Sequence, residues 1–408
     1  MSVQEPEIPL TGTTGERLKT FALDDAARRR LTDIAARYWE IAAYAVLVAF
    51  AGGLRFYNLG ARAMHHDESL HGYFSYGFTK QLREFFTTGS ATDAYKHVPF
   101  MHGPFQFIGN GFVMFVFGDG EFQARTMAAA MGTAMVFMPF LLRKQLGTVG
   151  ALAAAAFIAI SPTLMYYSRF TREDIYTAFW TLGMVVFMWQ YITTRRDRYL
   201  YLTAGFLALS FATKETTFMT AGAFIVFLDF LFATHLADRI REKTPEMRGW
   251  QYAALIAGLS TVAWAIAFAW PWIDKWRRRY DLDELPPEAN LLIVMGTLSL
   301  PMYAAAVQLL PFFGKTWQNR AGDNSASHIA SQEFGVAMVM VWSLIAISAS
   351  LGMLWKPRTW LIAAACFWVP YVLLYTTFFT NMPGFFSGIW GSMDYWISQQ
   401  DVRRGNQP

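Results

Sequence analysis

The chain holds one cysteine, Cys366, in 408 residues, and that cysteine lies inside an apolar run. A disulfide framework is therefore excluded, and cysteine usage says nothing about redox compartment. Charge is scarce: Asp, Glu, Lys and Arg together make up 16% of the chain, and 34 cations against 30 anions leave a formal charge of +4. The cations sit in short clusters between apolar runs, where membrane topology accounts for them, so nucleic acid is not an expected partner. Histidine is rare outside one stretch. Five of the seven lie between positions 65 and 102, and neither His235 nor His328 sits in the middle of an apolar run, which disfavours haem. Neither an internal repeat nor charge near the middle of the apolar runs, both of which a transporter would show, is convincingly present.

What the chain has in abundance is apolar sequence: 54% hydrophobic residues, 17% aromatics and a mean hydropathy of +0.24. The first long run, Tyr38 to Tyr57, carries charge only near its ends, at Glu40 and Arg55, and its twenty or so residues span roughly 30 Å as a helix. Similar blocks follow at 121–142, 148–167, 174–193, 199–213, 217–236, 251–272, 291–313, 334–355 and 359–379. The reading is an all-α polytopic membrane protein of about ten transmembrane helices. Ser161-Pro162 marks a kink in one of them. The first run is too long for a cleavable signal and no small-residue cleavage site follows, so it stays as an anchor.

Residues 1–37 precede the bundle, and between 15 and 38 Arg17, Lys19, Arg28, Arg29, Arg30 and Arg37 alternate with Leu18, Phe21, Leu31 and Ile34. This pattern predicts a basic amphipathic helix on the cytoplasmic surface. Cation clusters at Arg143-Lys144, Arg195-Arg196 with Arg198, and Arg239 to Arg248 belong on the same side. The stretch 103–118 is apolar but only sixteen residues, or roughly 24 Å, and contains Gly103, Pro104, Gly109, Asn110 and Gly111. A crossing there would push Arg143-Lys144 outside, so it is expected to be interfacial or re-entrant, making 58–120 one large first external loop. After residue 236 parity is inconsistent: Lys275 to Arg279 and Lys356 with Arg358 conflict unless one later block is broken or re-entrant.

Parity then gathers the polar residues. Asp67, Glu68, His71, His102, Arg169, Arg172, Glu173, Asp174, Lys214 and Glu215 all fall on the non-cytoplasmic side, a candidate surface-facing site. Within the first loop Leu70, Phe74, Phe78, Leu82 and Phe85 recur at helical spacing, predicting an interfacial helix over Ser69–Phe86. Asp67 and His71 stand one turn apart at its start.

These residues carry a resemblance. His65-His66-Asp67-Glu68-Ser69 after the first span, His102-Gly103-Pro104-Phe105 in the same loop, Phe122-Gln123-Ala124-Arg125 opening the next helix, Arg172-Glu173-Asp174 and Thr213-Lys214-Glu215 occur in that order. The set resembles the GT-C superfamily of membrane glycosyltransferases that use polyprenyl-phosphate sugars, including the protein O-mannosyltransferases and the aminoarabinose transferase of lipid A. It is most similar to a prokaryotic, flippase-associated glycosylation branch, to which Phe378-Phe379-Thr380-Asn381 and Gly391-Ser392-Met393-Asp394-Tyr395-Trp396 also conform.

The resemblance implies a GT-C-like bundle over 38–379, with an external tail over 380–408; such relatives usually continue into further helices, which implies a longer native chain. It implies sugar transfer from a polyprenyl-phosphate donor to a protein, lipid or glycan acceptor at the outer face of a prokaryotic inner membrane. The chemistry needs a base for the acceptor hydroxyl and positive charge for the departing phosphate. Asp67 is the candidate base, Glu68 a positioning or metal-binding partner, and Asp174 a second acid. Arg172 and Lys214 are candidate phosphate contacts. His66, His71, His102, Glu173 and Glu215 complete the candidate substrate-binding set. A divalent metal is the one cofactor considered, with its ligands unassigned, because the histidine spacing forms no recognised zinc pattern.

Plainer readings stand beside these. Asp67-Glu68 and Glu173-Asp174 also suit helix starts, where carboxylates complement the dipole. Lys214-Glu215 also suits a solvated pair at a helix end, and the histidines suit interfacial hydrogen bonding. Arg125 reads as structural. A non-catalytic membrane subunit, or a scaffold associated with a flippase or transporter, is the alternative function.

Overall fold

The computed structural model describes residues 25–90, 95, 97, 102–279, 285–313 and 332–398. The amphipathic stretch ahead of Asp25 and the tail beyond Ser398 lie outside the described residues. Among the described residues every regular element is helical: α1 (Asp25–Phe56), α2 (His66–Thr88), α3 (Phe105–Phe117), α4 (Glu121–Met135), α5 (Met138–Leu141), α6 (Arg143–Ile160), α7 (Pro162–Ser168), α8 (Asp174–Thr194), α9 (Arg198–Phe211), α10 (Thr217–Lys243), α11 (Gly249–Ser260), α12 (Ala263–Arg279), α13 (Pro287–Ser299), a 3-10 segment (Leu300–Phe313), α14 (Gln332–Trp355), α15 (Pro357–Tyr375) and α16 (Gly384–Ser398).

Among the described residues seven stretches are long and apolar enough to cross a bilayer, and nine if each of two bent pairs counts as one span. The sequence suggests about ten, and the difference lies in α9. At 14 residues it is roughly 21 Å long, short of the hydrocarbon thickness. It still runs back beside α8, because Lys214, just past its end, meets Asp174 at the start of α8 at 2.7 Å. That meeting defines a site end of the bundle, and the opposite end is called the far end below.

The two bent pairs differ in kind. The α6–α7 pair turns by 57° at Ser161-Pro162 and continues to the site end. The α11–α12 pair bends by 56° and does not cross. It leaves from the far end, where Tyr252 Oη donates to Asp238, and by Leu285 the chain is at the far end again, its carbonyl accepting from Arg195 at 3.2 Å. This re-entrant excursion resolves the parity conflict in the sequence. Lys356 and Arg358 join Arg143-Lys144, Arg195-Arg196 and Arg239 to Lys243 at the far end, consistent with Thr359 bonding Asp197 at 2.9 Å.

The largest apolar core is built around α13, whose Leu291 to Met295 are fully enclosed by residues such as Met184, Leu207, Phe232 and Phe367 of α8, α9, α10 and α15. The α2 and α3 helices pack on each other at the site end through Phe74–Phe107 and Phe78–Phe112 ring contacts. The stripe on α2 is thus divided, with Phe78 buried and Leu70 and Phe85 exposed.

Candidate functional site

Three loops and their helix starts meet at the site end: the α1–α2 turn, the 169–174 loop and the α9–α10 turn. The clamp between the first two is Glu68. Arg125 Nε and Nη2 donate to its two oxygens at 2.7 and 2.8 Å, and the backbone N–H groups of His65 and Thr171 donate to it at 3.0 Å each. Arg125 Nη1 also donates to the carbonyls of Leu59 and Arg62. Burial pushes the Glu68 carboxyl up, but the guanidinium fork and the two amides outweigh it and hold the group below its ordinary value. The α2 N-terminus is closed by His65, whose Nδ1 accepts from the Asp67 amide at 3.3 Å.

Asp67 is thereby presented beside the second loop. Arg172 lies 3.4 Å from Asp67 and 3.5 Å from Asp174, and Lys214 Nζ lies 2.7 Å from Asp174. The result is an alternating chain, Asp67–Arg172–Asp174–Lys214, partly open to solvent. A groove of about 560 Å³ begins at Asp174 and Lys214 and runs along α8 past Thr177, Ala178, Thr181, Leu182 and Val185. From Asp174 to Val185 this face descends about 16 Å.

A second chain lies deeper. Glu173 is fully buried, with His71 Nδ1 at 3.1 Å and His102 Nε2 at 3.8 Å, and His102 Nδ1 contacts Glu215 at 2.8 Å. The His71 and Glu173 groups are within reach of one another without hydrogen-bond alignment. Burial pushes the His71 imidazole below its ordinary value against the pull of Glu173. Burial also works against a charged His102, yet the Glu215 hydrogen bond and the Glu173 charge outweigh it and raise that imidazole. The partner Glu215 is lowered, its own burial being overcome by the hydrogen bond from His102. His102 is set in place by a short pairing: Gly103 N–H donates to the Thr213 carbonyl at 3.0 Å and Phe105 N–H to that of Ala212 at 2.8 Å. A Cβ at Gly103 would run into the Ala212 carbonyl oxygen, so the close approach requires glycine.

Of the candidate residues, Asp67, Arg172, Asp174 and Lys214 form the outer chain, and His71, Glu173, His102 and Glu215 form the inner one. Glu68 is used by the clamp. His66 is exposed and makes no hydrogen bond or ion pair among the described residues. Two contributors are absent from the candidate set. His97 is buried against Phe107 and Tyr375, and burial pushes its imidazole down to about 3. Arg55 is fully buried, donating to Ser168 Oγ at 3.2 Å and to the carbonyls of Ile158 and Ala159. Its signal in the sequence is the Pro162 break, which frees those carbonyls.

The fold and site define a polytopic helical membrane protein with an ionic centre where several helices end on one side. Residues 101–266 match the family model described as dolichyl-phosphate-mannose-protein mannosyltransferase. That stretch holds His102, Arg125, Arg172 to Asp174 and Lys214-Glu215. Two crystal structures of the Archaeoglobus fulgidus oligosaccharyltransferase are similar, one in complex with Zn and sulfate at 13% identity, one tethered to an acceptor peptide containing the NVT sequon at 14%. They cover 86% and 91% of this chain and 53% and 51% of that one, each with a TM-score of 0.40. The chain thus spans about half the length of that oligosaccharyltransferase. No curated protein matches by sequence.

Proposed function

We propose that the protein transfers a sugar from a polyprenyl-phosphate donor to an acceptor hydroxyl on a protein, lipid or glycan, with inversion at the anomeric carbon. The observation that carries this reading is the groove: an ion pair containing Lys214 at its mouth and an increasingly apolar face of α8 below it suit a phosphate with a long lipid tail. As the sugar–phosphate bond breaks, phosphate charge grows from about −1 toward −2. Lys214 and Arg172 stand where that growth is stabilised, a form of preorganised electrostatic catalysis. Asp67 is the base, with Glu68 and Arg125 fixing its position, and Asp174 orients the two cations.

A divalent metal does not fit the outer chain. Asp67 and Asp174 are turned onto Arg172 and Lys214, and among the described residues no three His, Cys, Asp or Glu side chains gather to hold an ion. The cation clusters at the far end support a cytoplasmic far end and an outward-facing site in a prokaryotic inner membrane. The test is incubation of the purified full chain in liposomes with radiolabelled polyprenyl-phosphate sugars and membrane acceptors. Label moving to an acceptor is expected. A wild type that transfers no sugar to any acceptor, yet is required for assembly of a partner complex, would establish the scaffold reading instead.

A further inference from the structure

We infer that His71, Glu173, His102 and Glu215 form a buried proton relay, carrying charge from the base at Asp67 to the departing phosphate beside Lys214. The inference rests on the glycosyl-transfer reading and adds a route for the proton that the reaction displaces.

The reaction poses a problem at both ends of the site. At one end the acceptor O–H bond breaks as its oxygen bonds the anomeric carbon, and Asp67 takes the proton. At the other end the sugar–phosphate C–O bond breaks with its electron pair on phosphate, giving a dianion whose second pKa of about 6 lets it accept a proton before it leaves. Asp67 stands 3.4 Å from Arg172 and must shed the proton it receives before it can serve as base again. A connection between the two ends would balance the reaction without exchange with bulk water.

The inner chain supplies that connection. His71 lies one turn after Asp67 on α2 and feels the charges of Asp67 and Arg172. Glu173 lies between His71 at 3.1 Å and His102 at 3.8 Å, and His102 reaches Glu215 at 2.8 Å. Lys214 acts on both His102 and Glu215, which places this end of the chain beside the groove mouth. Tyr176 and His97 are the other titratable neighbours, facing Glu173 and His102 respectively. His71 and Glu173 are shielded from solvent, and neither carboxylate oxygen of Glu173 is committed to a hydrogen bond. A purely structural carboxylate at such burial would take fixed donors, as Glu68 does. Glu173 instead stands between two imidazoles, one disposed to be neutral and one to be protonated, so a proton entering at His71 and one leaving from His102 need only small rotations.

The experiment uses the full chain in nanodiscs and has two parts. In ¹⁵N-imidazole spectra over pH, the relay requires Glu173→Gln to shift the titrations of both His71 and His102; if either is unmoved, the relay is wrong whatever the turnover. With a synthetic polyprenyl-phosphate mannose donor, Glu173→Gln is expected to lower kcat by about 10²-fold with donor KM within about twofold. It should also convert a curved proton inventory in mixed H₂O/D₂O into a linear one. His102→Gln, a second variant at the other end of the relay, should give the same pattern. Active wild type with unchanged kcat and inventory in both variants defeats the relay alone, whereas a wild type that transfers no sugar from any polyprenyl-phosphate donor defeats the glycosyl-transfer reading and the relay with it.

Discussion

Glu68 and Arg125, 57 residues apart, form a two-pronged buried ion pair that ties the α1–α2 turn to the 169–174 loop. Removing one partner of such a pair costs about 3 to 5 kcal/mol, because the other is left buried and uncompensated. Arg125→Met should therefore lower the unfolding temperature in detergent by several degrees and abolish transfer, while Glu68→Met with Arg125→Met together should recover part of the stability without activity. A double variant no more stable than the single one would show that the pair does not hold the loops.

The acidity of Glu68 gives the clamp a pH dependence. Its folded carboxyl is held below its ordinary value of 4.5, so the clamp's contribution is fully present above that value. It is lost as pH falls through the lowered folded value. Acid unfolding followed by tryptophan fluorescence should show a later midpoint in wild type than in Glu68→Gln.

His102 has the opposite sign. Its folded value is raised above 6.5, so its contribution is complete below 6.5 and is lost as pH rises through the raised value. Thermal melts across that window should show wild type losing more stability toward alkaline pH than His102→Gln.

Asp67→Asn should fold normally and lose transfer by roughly 10² to 10⁴-fold, the range expected on losing a general base. Arg172→Ala and Lys214→Ala should each cost roughly 2.7 to 4 kcal/mol of transition-state stabilisation, seen mainly in kcat. Wild-type kinetics in both cation variants would return them to the role of solvated helix-end charges.

Topology is open to direct labelling. In a Cys366→Ala background, a cysteine at exposed Ser69 should react with an impermeant maleimide in intact cells, and one at exposed Thr194 only after lysis. The reverse pattern would invert the orientation proposed here.

Most of the bundle was legible because a run such as Thr217 to Leu236 has the length and apolarity that a bilayer demands. The site was legible for a different reason. Parity alone brought Asp67, Arg172 and Lys214 to one side, and the structure puts them in a single ionic chain. Less was legible where local pattern and tertiary context diverge. The run 251–272 has the hydropathy of a span, and nothing in its composition reveals the 56° bend at Thr261-Val262. The α9 run shows no sign that its helix stops at Phe211, leaving the Thr213 carbonyl to pair with Gly103. The division between an outer and an inner chain was also hidden, because Glu173 and Asp174 are adjacent in sequence and point to different depths.

Arg55 and the bend at Pro162 constrain each other's history. Pro162 lacks the N–H that would occupy the Ile158 carbonyl, and the Arg55 guanidinium fills that place and the next. An alanine at 162 that straightened the helix would strand a buried cation, and an apolar residue at 55 would strand two carbonyls. Each change should thus be more harmful alone than beside the other, so a lineage can leave this arrangement only through a costly single step or by changing both positions together.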